Sequence, residues 1–145
     1  MARMLRLSAV LTLLAVLVPT AGAQSYADQV RSQLDGAKQA LRSEGFTRSH
    51  DYKIESLDDG AEDTFTVDLE EGREYALVGA CDVDCSDMDF WLYDENDNLI
   101  DSDTSTDDVP VVRVTPRWSG TSEIRVKMYE CSNEPCFYGI GVFGD

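Results

Sequence analysis

The sequence predicts a mainly β protein: an antiparallel β-sandwich of seven to eight strands with one N-terminal α-helix. Three observations carry that expectation. Apolar residues recur at helical spacing only as far as about residue 43, and from residue 51 their period falls to two. Clusters of Asp, Asn, Gly and Glu separate the later apolar runs into short segments. Those runs are rich in β-branched and aromatic residues, which suit a pleated, half-buried surface.

Residues 1–23 read as a secretion signal. Arg3 and Arg6 stand without an acid among the first six positions, and residues 7–18 are almost wholly apolar. Pro19 breaks the run, and Ala21-Gly22-Ala23 supplies small residues before Gln24. The apolar run is shorter than the roughly 20 residues of a spanning helix, and no later stretch approaches that length. No cysteine follows the expected cut, which argues against a lipid anchor. Cleavage leaves residues 24–145, divided into a helical segment at 24–45 and a sandwich at 46–145. That length suits a single core.

The helix is expected over residues 25–43. Ala27, Val30, Leu34, Ala37 and Leu41 fall on one stripe, Ser25 can cap the start, and Gly45 stands where a helix would stop. Gly36 weakens the middle by about 1 kcal/mol relative to alanine. A narrow stripe with two alanines calls for a docking surface. Either the chain's own domain or a partner's helix could supply it.

Strands follow in order. Phe65, Val67 and Leu69 share a face of residues 64–69, and Glu70-Glu71-Gly72-Arg73 turns the chain into residues 75–80. In residues 88–93, Met88, Phe90 and Leu92 point one way and Asp89, Trp91 and Tyr93 the other. Asp94-Glu95-Asn96-Asp97-Asn98 is a turn in composition, and Leu99-Ile100 begins the return. Residues 109–115, 123–129 and 137–143 complete the set.

Four stretches carry a family resemblance: Gly72-Arg73-Glu74-Tyr75-Ala76-Leu77; Ser86-Asp87-Met88-Asp89-Phe90-Trp91-Leu92-Tyr93-Asp94; Val112-Arg113-Val114-Thr115-Pro116 with Ser119-Gly120; and Glu123-Ile124-Arg125-Val126. Together they resemble the bacterial pre-peptidase C-terminal domain over residues 51–143. The resemblance implies a jelly-roll-like sandwich of the kind that accompanies secreted proteases or binds matrix. Ser122 departs from the family's frequent Tyr, and the cysteine pairs lie outside its usual pattern.

The chain carries 28 acidic residues against 12 Lys and Arg, a formal charge of −16, and no acid lies in residues 1–23. Losing Arg3 and Arg6 with the signal would take that charge to −18. Nucleic acid and anionic membrane surfaces attract clustered Lys and Arg, so both are excluded as partners. Cations, a basic protein or a cell-envelope polymer fit better.

Four cysteines stand as two tight pairs, Cys81 with Cys85 and Cys131 with Cys136. They allow three pairings. The local one is expected, because each pair brackets a short polar loop beside a strand. Zinc is the competing use of four thiolates, but its usual spacing places two residues between paired ligands, not three or four. An exported chain favours disulfides.

Eleven carboxylates and no Lys or Arg lie between Asp82 and Asp108. Calcium takes six to eight hard oxygen ligands, so Asp82, Asp84, Asp87 and Asp89, with Asp101 and Asp103 from the following loop, form a candidate calcium set. A solvated acidic surface is the competing reading. Asp94-x-Asn96-x-Asn98 begins like a helix-loop-helix calcium loop, but Leu99 stands where that loop needs glycine.

No catalytic constellation emerges. His50 is the only histidine and lies in a polar connector, and no Gly-rich phosphate loop or His-x-x-x-His is present. Trp91, Tyr93 and Trp118 could form an aromatic patch for sugars or proteins, or lie beneath the helix. The expectation is a secreted or periplasmic, monomeric binding module without catalytic residues or a required cofactor, acting through acidic, disulfide-braced loops. A structural or inhibitory partner of a secreted protease and a carboxylate-dependent hydrolase are the alternatives.

Overall fold

The computed structural model describes residues 21–145, so most of the expected secretion signal lies outside the described residues. Helix α1 spans Ala21–Leu41, starting a turn before the expected Ser25 cap, and tightens into a 3₁₀ turn at Arg42–Glu44. Gly45 ends it in the left-handed region at φ 95°, with its N–H bonded to the Arg42 carbonyl at 3.2 Å.

Nine strands follow: β1 Thr47–Arg48, β2 Lys53–Leu57, β3 Glu62–Leu69, β4 Tyr75–Cys81, β5 Cys85–Tyr93, β6 Leu99–Asp103, β7 Val111–Val114, β8 Gly120–Cys131 and β9 Cys136–Gly144. The expected seven to eight began at residue 64 and omitted β1 and β2. Both pair with β9 and extend one sheet.

All pairings are antiparallel and form two sheets. Sheet A has the order β1-β9-β4-β7 with β2 also on β9, and sheet B has the order β3-β8-β5-β6. The core fills the space between them with Leu77, Met88, Phe90, Leu92, Ile124, Val126, Met128, Tyr138 and Ile140, none more than 1% exposed. Each such aliphatic or aromatic side chain contributes about 1.5–3 kcal/mol on burial.

Helix α1 covers the other face of sheet A. Val30 and Leu34 pack with Ala80, while Leu41 and Phe46 pack with Ala76, Val78 and Phe143. This explains why β4 is buried along its whole length: Tyr75, Leu77 and Cys81 face the core, and Ala76, Val78 and Ala80 face the helix. Its uninterrupted apolar run is the pattern of a strand covered on both faces. Gly139 of β9 lets the helix come close, since a Cβ there would lie 2.6 Å from Val30 Cγ1. The stripe of α1 therefore meets its own sandwich, and sheet B keeps its outer face free of the helix.

Candidate functional site

At one end of the sandwich, two short loops cross between the sheets. Cys81 of sheet A is bonded to Cys85 of sheet B, and Cys131 of sheet B to Cys136 of sheet A, each with 5.9 Å between Cα atoms. Cys85 and Cys131 are register partners, so the bridges sit side by side, and all four cysteines are buried. Each bridge therefore ties one sheet to the other.

The loops are further tied by Asp82, which is buried. Its Oδ1 accepts the Asp84 N–H at 3.0 Å, and its Oδ2 accepts the Phe137 N–H at 2.6 Å. Ser132 donates its N–H to the Asp84 carbonyl at 2.8 Å. From α1, Gln33 Nε2 donates to the Cys81 carbonyl at 2.7 Å, and Tyr26 stacks on Phe137. Asp82 thus fixes loop shape.

Asp101 and Asp103 serve a different end. The sheet-B strand β6 runs beside the sheet-A strand β7, and Asp101 Oδ2 accepts the Arg113 N–H at 3.0 Å, while Asp103 Oδ2 accepts the Val111 N–H at 2.9 Å. Burial works against the Asp103 carboxylate. Hydrogen bonds from the Val111 and Ser105 amides outweigh burial and hold its pKa below the usual range.

Asp87 and Asp89 lie opposite Met88 and Phe90 as the alternation requires, yet both are buried, 6% and 7% exposed. The segment after β6 covers them: the Met88 N–H bonds to the Asp107 carbonyl at 3.0 Å. Burial, with the charges of Glu130 and Asp107, raises the Asp87 pKa. Burial and the Asp87 charge raise that of Asp89 against the opposing Lys127. Asp87 Oδ1 is buried without a hydrogen-bond partner. Of the six carboxylates expected around calcium, Asp82 and Asp84 lie in the disulfide loops, Asp101 and Asp103 meet the edge of β7, and Asp87 and Asp89 lie under the segment after β6, where the Asp103 charge also reaches Asp89. Among the described residues no three His, Cys, Asp or Glu side chains are placed to hold a metal ion.

Because α1 sits on sheet A, it does not bury Trp91 and Tyr93, which stand half-buried on the outer side of sheet B. On the same strands Arg125 lies 4.0 Å over the Tyr93 ring and pairs with Glu123 and Asp97. Tyr129 is 58% exposed. At the turn end, a cleft of about 400 Å³ is lined by Glu95, Leu99, Ile100, Pro116, Arg117 and Trp118 among others, and Trp118 is 47% exposed. The sequence grouped Trp118 with Trp91 and Tyr93; the turn and the loop before β8 bring it beside Leu99 instead.

His50 Nδ1 lies 2.9 Å from Ser49 Oγ, whose hydroxyl also meets the Val142 carbonyl at 3.0 Å. Among the described residues no carboxylate hydrogen-bonds His50.

This architecture is that of a pre-peptidase C-terminal-like β-sandwich. Among solved structures, the chain resembles the pre-peptidase C-terminal domain of collagenase from Bacillus anthracis, at a TM-score of 0.51 and 17% identity, over 63% of this chain and 87% of that one. No family model and no curated protein matches the chain. The fold is the one the sequence motifs imply.

Proposed function

We propose that the chain is an exported, non-catalytic module that binds a cell-envelope polymer or a protein displayed on it. One observation carries this reading. The helix covers sheet A, leaving the outer face of sheet B with Trp91, Tyr93 and Tyr129 among charged residues, next to the Trp118 cleft. Aromatic rings flanked by polar groups suit contact with extended polymers, because they remove large apolar area while the charges set orientation. The likeness in fold to the pre-peptidase C-terminal domain of a collagenase fits an accessory role. The carboxylates with raised pKa, Asp87 and Asp89, lie beneath a segment of chain rather than in an open cleft. The two disulfides suit an oxidising compartment.

Retention on insoluble cell-wall glycan and on protein fibres tests this. Wild-type protein is expected to be retained, and Trp118→Ala and Tyr129→Ala to be released while melting as the wild type does. Equal retention of both variants would overturn the assignment of the surface.

A further inference from the structure

The two long sides of the sandwich are finished differently. Along β6 and β7 the outward N–H groups of Val111 and Arg113 are occupied by the carboxylates of Asp103 and Asp101. On the opposite side, β3 is the outermost strand of sheet B and pairs only with β8, over its eight residues. The phase of that pairing shows which groups face out. The Met128 N–H bonds to the Ala61 carbonyl, so Asp63, Phe65, Val67 and Leu69 point their backbone groups at β8. Glu62, Thr64, Thr66 and Asp68 therefore turn theirs outward, and all four are exposed. Among the described residues, the Thr64 N–H meets the Asp63 carboxylate at 2.8 Å, and the other outward N–H and carbonyl groups of this strand have no partner from another element.

An open edge of this length is a template for another strand. Charge selects what fits. Residues 58–71 hold Asp58, Asp59, Glu62, Asp63, Asp68, Glu70 and Glu71 without a Lys or Arg, and the chain as a whole carries −16. A second copy of the chain is repelled, whereas a basic segment is drawn in. Half-buried Phe65, its ring facing Lys53 Nζ at 5.6 Å, offers an apolar contact near the edge.

We propose that β3 is a docking strand: an extended segment of a basic partner protein, alternating Lys or Arg with apolar residues, adds to sheet B along it. Main-chain bonds at Glu62, Thr66 and Asp68 would supply affinity, and alternate side chains would place cations near Glu62 and Asp68. This names a partner for the binding module proposed above and rests on that reading.

The test uses an acetylated Lys-Val-Lys-Val-Lys-Val-Lys peptide and its Glu-Val counterpart as probes, read by titration and by amide hydrogen exchange. The basic peptide is expected to bind, to slow exchange at Thr66 and Asp68, and to weaken with salt. Thr66→Pro removes an outward N–H that the sheet does not use, so the protein should fold while binding falls roughly tenfold or more. Glu62 also meets Lys127 Nζ at 3.7 Å and Asp68 accepts the Thr121 hydroxyl at 2.7 Å, so Glu62→Gln with Asp68→Asn, which remove charge and keep shape, should weaken binding without touching the backbone. Equal binding of the acidic peptide, unchanged exchange along β3, or wild-type affinity in both variants would overturn the proposal. Failure of the peptide to bind while polymer retention persists would overturn it and leave the module reading standing.

Discussion

Asp101 Oδ2 accepts the backbone N–H of Arg113 at 3.0 Å, joining an edge strand of one sheet to an edge strand of the other. Asp103 repeats the contact two residues on, at Val111. Paired carboxylates on an i, i+2 spacing thus close a side of the sandwich that would otherwise expose unpaired amides.

Asp101→Ala and Asp103→Ala are each expected to lower stability by about 1–2 kcal/mol, the loss of a charge-assisted bond with its amide left open. Urea denaturation checks this. The folded-state pKa of Asp103 is depressed, so its contribution is present above the unfolded value near 4 and is lost as pH falls through the lower folded value. The difference between wild type and Asp103→Ala should therefore hold at pH 7 and shrink in acid.

Asp87 behaves in the opposite sense. Burial and the neighbouring Glu130 and Asp107 raise its pKa, and Oδ1 lacks a partner. Its stabilising form is the protonated one, fully present below the unfolded pKa of about 4 and lost as pH rises through the folded value. Asp87→Asn should raise Tm at pH 7, on the order of a few degrees. The gain should fade as pH drops toward 4. A gain independent of pH would show that charge is not its cause, and a calcium-dependent rise in the wild type that the variant abolishes would make these carboxylates a cation site.

Gly139→Val tests the seat of the helix. A Cβ would already meet Val30 Cγ1 at 2.6 Å and the Lys53 carbonyl oxygen at 3.1 Å, so α1 must lift or the strand must shift. The expected cost is about 1–3 kcal/mol, with faster proteolysis within Ala21–Leu41 than in the wild type.

The disulfides close loops with sequence separations of 4 and 5. Such short loops remove little chain entropy, so Cys81→Ser with Cys85→Ser should cost about 2 kcal/mol or less. Thiol titration of the unreduced wild-type protein should find no free cysteine. A much larger loss would mean that joining the sheets, rather than loop closure, dominates.

The legible parts of this fold are those where one face is buried and the other is wet. Met88, Phe90 and Leu92 announced β5, and Val67 with Leu69 announced β3, because period-two alternation reports a single covered face. Strand β1 has only two residues and β2 alternates weakly, so neither stood out although the helical period ends before them. The outer side of β2 is half-exposed and its pattern of Lys, Ile, Glu and Ser reads as a polar connector, so only its pairing with β9 makes it a strand. The roles within the acidic block were illegible for a related reason. Composition counts carboxylates, whereas their roles depend on which amide or loop lies across from each.

The order of residue types by itself pointed to an N-terminal helix followed by strands, to the strand faces and, among three possible pairings, to the local cysteine partners, and it set the strongly negative net charge, since all of these follow from near-neighbour spacing and composition. Only the tertiary structure decided that α1 lies on sheet A, that Trp91 and Tyr93 remain on the free sheet, that Asp101 and Asp103 seal one edge while β3 stays open, and that Asp87 is buried with an unpaired oxygen. Each of those depends on contacts between residues far apart in the chain, and local periodicity carries no information about which distant surface will cover a given face.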